Sequence, residues 1–502
     1  MKGYATFFLI AVMSLGLVFL LLTRSSSTHE APSAEPEVVE VFDAGDGGKA
    51  DGGMLVAAND AAAEAAAPAK PVERPLRVAT LGWELAAAGV ALTAPDGKPL
   101  AQAMELAPEA TLEAVEARLA RGGNDPVGAD IAVLPLPAFV LAYDRLRALD
   151  PRAFVVVGFS RGREEVHATA GALLKPPPAA DEVKLVALGP VTAGDATARA
   201  AGSESATMLG LFGLDLLGVA PTRVRLLAPG APDAKSAPFA AIVRGAADER
   251  KLALSSADAA RFVPIVAIAP KAQLDANEPK MREFARAWLD GIERAGKDAS
   301  NVARRLANKE ALPLAAGVGG APEAVALLER LGQIAPVGLA QQRGLMGASA
   351  KGPLTLETLA QRQWALARSG GLTTSAAPSP LPIDDRIVTV IAPAPPPGAA
   401  PSAGDAGADA GTFAALPAGT TPLVAYRADP TSDAATVVAQ IGFLSGVFER
   451  AAFRVTAKGG DKAARAIAVA ARDKFDLPSS RLATSAGEPA GAFAVVEVVA
   501  LP

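Results

Sequence analysis

Ser160 and Arg161 lie between two glycines in the run Gly158-Phe159-Ser160-Arg161-Gly162. The G-x-S-x-G spacing is that of a hydrolase elbow, where a tight strand-to-helix turn exposes a serine nucleophile. The same pair at the end of a strand facing a cleft would offer a ligand a hydroxyl and a bidentate cation. Histidine supply separates the two readings. The chain has two histidines, His29 and His167. The hydrolase order places the histidine late, after the acid, and no histidine follows His167. Ser160 then lacks the base that would activate it, so a non-catalytic ligand contact is the preferred reading and a Ser160 hydrolase the remote alternative. The chain has no cysteine, which excludes disulfides, thiolate metal sites, a cysteine nucleophile and a lipoprotein anchor. Two distant histidines do not make a zinc site, and no cofactor is expected. The net charge of −5 supplies no basic field for nucleic acid.

The elements that must position these residues follow from apolar periodicity. Arg77–Leu81, Asp130–Leu134, Phe154–Gly158, Val166–Leu174, Val183–Leu188, Arg223–Leu227, Leu252–Leu254 and Phe262–Ala269 read as strands. Helical spacing marks Thr111–Ala120, Phe139–Leu149, Ala206–Leu217, Pro279–Ala295 and Pro322–Leu331. Asn277 suits a cap, and Met281, Phe284, Trp288 and Ile292 then share one face; Trp288 and Trp364 read as packing. Strands alternating with helices indicate an α/β protein with largely parallel sheets. Beyond residue 422 a smaller α+β unit is expected. Its strands are Leu423–Tyr426, Phe453–Ala457 and Phe493–Leu501, and its helices are Val437–Phe448 and Lys462–Lys474.

Flanking segments set the location. Residues 5–23 (ATFFLIAVMSLGLVFLLLT) carry no charge and as a helix would span about 28 Å, close to a bilayer core. A transmembrane anchor, or uncleaved signal, with residues 1–4 cytoplasmic is favoured over a cleaved signal peptide, which would have a shorter apolar run and small residues at its end. That places the protein in the inner membrane as a single-pass chain with its bulk periplasmic. Residues 25–74 read as an acidic, disordered tether, and residues 392–422 (APAPPPGAAPSAGDAGADAGTFAALPAGTTP) as a second linker. The folded part therefore divides into 75–391 and 423–502.

The run Asp130-Ile-Ala-Val-Leu, Ala142-Tyr-Asp-Arg-Leu and Val155-Val-Val-Gly-Phe-Ser160-Arg-Gly resembles the periplasmic solute-binding proteins of ABC importers, in particular the nitrate, sulfonate and taurine group. Val183–Leu188, the segment Ala200–Thr207 and Leu217-Gly-Val-Ala-Pro continue the likeness. The resemblance implies a two-lobed, type II periplasmic-binding-protein-like domain. It would capture a small, anionic solute by lobe closure, with an ABC permease as partner. Residues 423–502 are similar to OmpA-like domains through Arg465-Ala466, Val469, Phe475–Leu482 and Gly487–Pro489, although the family's acidic ligand position has no counterpart. That likeness implies peptidoglycan as a partner and Arg465 as its contact.

In a two-lobed domain, ligands meet the loops at the carboxyl ends of strands and the free N–H groups of helix starts. Trp83, Pro137, Ser160, Arg161, Ser203, Ser205, Thr207, Ser255 and Ser256 are the expected ligand contacts on that geometry. Plainer roles compete: Trp83 as core, Ser160–Arg161 as a surface turn, and Ser203 and Ser205 as helix caps. The rival function is a structural envelope scaffold whose ligand site has decayed.

Overall fold

The computed structural model describes residues 73–169, 177–178, 181–188, 201–347, 353–392, 413, 416 and 420–501. The expected membrane span 5–23 lies outside these residues, as do nearly all of the tether and most of the second linker. Among the described residues no helix is long and apolar enough to cross a membrane. Arg74, at the end of the expected tether, pairs through Nη1 and Nη2 with the two carboxylate oxygens of buried Asp130, at 2.8 and 2.9 Å.

The chain starts one lobe with β1 (Leu76–Leu81), β2 (Met104–Glu109), β3 (Ile131–Pro135) and β4 (Pro151–Ser160). It crosses into a second lobe as β5 (Glu164–Ala168), β6 (Val183–Ala187), β7 (Val224–Leu227), β8 (Phe239–Val243) and β9 (Lys251–Ser255). It then returns to the first lobe as β10 (Pro264–Pro270) and β11 (Ile334–Pro336). The sheet orders are β11-β4-β10-β3-β1-β2 and β7-β6-β8-β5-β9. Apart from the edge strand β11, the two sheets share one plan. Three strands in the order second, first, third are parallel to one another, then comes a strand on the crossing chain, then a last strand. The crossing strand runs antiparallel to both neighbours, β10 against β3 and β4, and β5 against β8 and β9. The sheets are therefore mixed rather than largely parallel. Their crossing strands arrive from the other lobe, so they are free of the long crossover that two successive parallel strands require.

The local sequence explains the layering. β3, β4 and β10 are covered on both faces and read as unbroken apolar runs, IAVLP, AFVVVGF and IVAIA. Helix Leu136–Leu146 begins at Pro135 and carries Pro137 in its first turn, where the missing N–H costs nothing. Helix Glu278–Lys297 buries Met281, Phe284 and Trp288. Trp364 meets the rings of Phe139 and Tyr143 edge-on, at 6.3 and 5.5 Å between centroids.

The C-terminal unit holds β12 (Val424–Arg427), β13 (Ala451–Ala457), β14 (Leu482–Thr484) and β15 (Ala494–Ala500) in the order β12-β15-β13-β14. β13 and β14 are parallel, joined through helix Gly460–Phe475; the other pairs are antiparallel. This unit docks on the second lobe. Phe212, on helix Ser203–Leu216, stacks on Phe262 at 4.2 Å and on Phe448 at 6.3 Å. The Arg261 N–H donates to the Val447 carbonyl at 3.2 Å. The apolar core runs without a break through both lobes and this unit.

Candidate functional site

The site forms where the lobes meet at the crossing from β4 to β5. After β1 the chain turns at Gly82 (φ +102°), and the Thr80 hydroxyl donates to the Gly82 carbonyl at 2.8 Å. The turn folds Glu84 back so closely that a Cβ on Gly82 would lie 2.4 Å from Glu84 Oε1. Glu84 is 1% exposed. Its Oε1 accepts from Arg163 Nη1 at 2.5 Å, while Arg163 Nη2 donates to the Ala201 carbonyl at 2.7 Å. One guanidinium thus ties the first lobe to the second. A backbone bond from Ala201 N–H to the Ala110 carbonyl, 3.1 Å, repeats the tie. Arg330 Nη1 approaches Glu84 Oε2 to 3.8 Å from the half-exposed side.

Two more carboxylates surround Arg163. Glu164, fully buried, accepts from the Ser160 hydroxyl at 2.6 Å. Glu204, in the first turn of helix Ser203–Leu216, is 2% exposed. The Ser256 hydroxyl accepts from the N–H groups of Gly162, Arg163 and Glu164, at 2.8, 3.1 and 3.3 Å, and fixes the crossing strand in place. Burial pushes the Glu204 carboxyl up to about 7. Burial also raises Glu164 above the usual carboxylate range. It works against the Arg163 charge as well, but Glu84 and Glu164 outweigh it and hold the guanidinium above its ordinary value. Glu84 Oε2, Glu164 Oε1, Glu204 Oε2, Ser203 Oγ and Ser205 Oγ are all buried without a hydrogen-bond partner among the described residues. A buried polar group left unpaired is costly, so this cluster has capacity for further donors.

The expected contacts divide. Ser160 joins the cluster through Glu164, while Ser203 and Ser205 flank Glu204 on its helix and neither caps it. Thr207 lies one turn on and spends its hydroxyl on the Ser203 carbonyl, 3.1 Å away. Ser256 serves as a backbone clamp. Ser255 instead closes a local turn, its hydroxyl donating to Asp258 Oδ2 at 2.7 Å. Trp83 is 4% exposed in the core, with Lys309 Nζ 5.8 Å from its ring. Pro137 and Ala138 are buried in a helix turn. Arg161 points away from the cluster into a groove shared with Phe159, Arg261 and Arg450. Arg465 is exposed, its guanidinium 5.9 Å from the Phe413 ring.

The hydrolase alternative fails on geometry. Gly158–Gly162 leads from one strand to another, not to a helix, and His167 pairs with Glu165 at 2.9 Å instead of Ser160. Sequence reasoning missed Glu84, Arg163, Glu164 and Glu204. The available signal was placement: Arg163-Glu164 interrupts an apolar stretch directly after a strand, and Glu84 follows the glycine turn of another. Among the described residues no group of His, Asp or Glu is arranged to hold a metal ion.

No family model and no curated protein sequence matches the chain. Solved structures do align with it. The ligand-binding component of an ABC-type import system from Staphylococcus aureus, crystallised with zinc, matches at TM-score 0.40 and 10% identity, over 63% of this chain and 98% of that one. The alkanesulfonate-binding protein SsuA from Xanthomonas axonopodis, bound to MOPS, matches at TM-score 0.38 and 13% identity, over 63% and 99%. The periplasmic nitrate-binding protein NrtA from Synechocystis matches at TM-score 0.31 and 10% identity, over 47% and 67%. The shared plan of the two sheets, with its exchanged crossing strands, defines a two-lobed α/β fold.

Proposed function

We propose that the chain captures a small polar solute between its lobes and performs no chemistry on it. The observation that supports this is the cluster of unpaired, buried carboxylate and serine oxygens around Arg163, placed where the two lobes touch. Three carboxylates face the buried Arg163 there, with Arg330 approaching one of them from the half-exposed side, so the solute that completes the site is rich in donors, such as a primary amine. The anion expected from Arg161 does not suit it, because Arg161 lies in the other groove. In the larger proposal the chain is held to the inner membrane by residues 5–23 with its bulk periplasmic, hands its solute to an ABC permease, and touches peptidoglycan through the C-terminal unit and Arg465.

The test is thermal unfolding of the full chain with a panel of amines, amino acids and small anions. A true solute stabilises by RT ln(1 + [L]/Kd), about 2.7 kcal/mol at a hundredfold excess over Kd. Glu204→Gln is expected to weaken that response. A panel that produces no shift sinks the proposal. It would favour the second reading, a cell-envelope scaffold with a degenerate ligand site. That reading draws support from Arg163, which already links the lobes, and from the core shared with the C-terminal unit. Retention on purified cell wall, lost in Arg465→Ala, would be its positive sign.

A further inference from the structure

The groove on the far side of the β4 end carries an inference independent of the solute cleft. A cavity of about 380 Å³ lies between the lobe crossing and the C-terminal unit. Arg161, Arg261 and Arg450 line it, against a single lining carboxylate, Glu449. Glu449 is committed to Arg261 in an ion pair, and Arg261 also lies over the Phe159 ring at 6.0 Å. Among the described residues the Arg161 and Arg450 side chains have neither an ion pair nor a hydrogen bond, so two guanidinium groups in the lining remain uncompensated, one on the crossing and an exposed one on the C-terminal unit. Arg161 is half-buried, which removes part of the water that would otherwise satisfy it. The rest of the lining includes the apolar side chains of Phe159, Leu345 and Leu354 together with the polar Gln341.

The geometry points to a binding site for a small organic oxyanion, its charged head held between Arg161 and Arg450 and its apolar body against Phe159 and the two leucines. Guanidinium groups match planar oxyanions through paired N–H donors. The apolar wall and the cavity size select against a bare inorganic ion. Because Arg450 belongs to the C-terminal unit and Arg161 to the crossing, an occupant would bridge the two.

Calorimetric titration of the full chain with hexanoate, acetate and inorganic phosphate at one ionic strength tests this. Hexanoate is expected to bind more tightly than either of the others. Arg161→Gln and Arg450→Gln are each expected to weaken hexanoate by about tenfold, the loss of one charge-assisted contact. Arg294→Gln, which removes an exposed charge on another helix, should leave it unchanged. Both groove arginines lack partners, so their variants should retain the wild-type melting profile, and Arg161→Lys should keep part of the affinity. Hexanoate binding no better than acetate or phosphate, or equal affinity in the Arg161→Gln/Arg450→Gln double variant, would overturn the assignment.

Discussion

Ser160 and Arg161 are consecutive residues, yet they serve regions of opposite character. Side chains alternate faces along a strand, and the alternation continues past the end of β4. Ser160 enters the buried cluster where the lobes meet, in which Glu84 and Arg163 pair with each other. Arg161 enters the junction groove, where its guanidinium and that of Arg450 stay near water and have no partner among the described residues. The cluster ties protein to protein, while the groove leaves two of its three guanidinium groups free among the described residues. A charge removed from the first strands others in a low-dielectric interior; removing Arg161 or Arg450 from the second strands nothing.

That contrast can be broken by measurement. The largest effect is expected from Arg163→Met, which leaves Glu84 and Glu164 buried without their cation. A loss of about 3–5 kcal/mol in urea unfolding is expected, and a loss below about 1 kcal/mol would show that the cluster is not a structural tie. Next is the pH dependence of Glu204, which Arg163, Glu113 and Glu116 also influence. Its native pKa of about 7 lies above the ordinary glutamate value of 4.5. The folded state therefore holds a proton that the unfolded state releases. Stability should fall as pH rises from about 4.5 to about 7 and level off above, by an amount of order 3 kcal/mol. Melting curves of Glu204→Gln should show a shallower slope, with the raised Glu164 supplying the remainder; an unchanged slope refutes the assignment. Gly202→Ala comes third. Gly202 has φ +95° and a Cβ there would lie 2.7 Å from Arg163 Nε, so a cost of about 1–3 kcal/mol is expected. The smallest effects belong to the groove, where Arg161→Gln and Arg450→Gln should each change stability by no more than about 0.5 kcal/mol.

The sequence carried the elements better than their surroundings. The apolar runs behind β1, β3, β4, β6 and β10 were visible because each is covered on both sides. β2 (Met104–Glu109) was missed because Pro108 and its flanking glutamates break the pattern, which is tolerated in an edge strand. β8 (Phe239–Val243) carries two alanines within its five residues, and β14 (Leu482–Thr484) is only three residues long. The reversal of β5 and β10 was illegible, since strand direction depends on which lobe the chain is entering. Ser160, Ser203 and Ser205 were legible as candidates because strand ends and helix starts are marked locally. Glu84 and Glu204 were not, because what makes them part of a site is an arginine far along the chain.

The exchanged strands also have a consequence for the order of assembly. β3 and β4 do not touch; β10 lies between them. A ribosome therefore delivers the strands of the first lobe before the one that joins them, and residues 164–255, forming all five strands of the second lobe, emerge in between. The N-terminal-first order usual for nascent chains is inverted. The later lobe can close while the earlier one waits, with the inner edges of β3 and β4 open. A chain released after Ser255 would expose those two edges and be prone to stick to its neighbours.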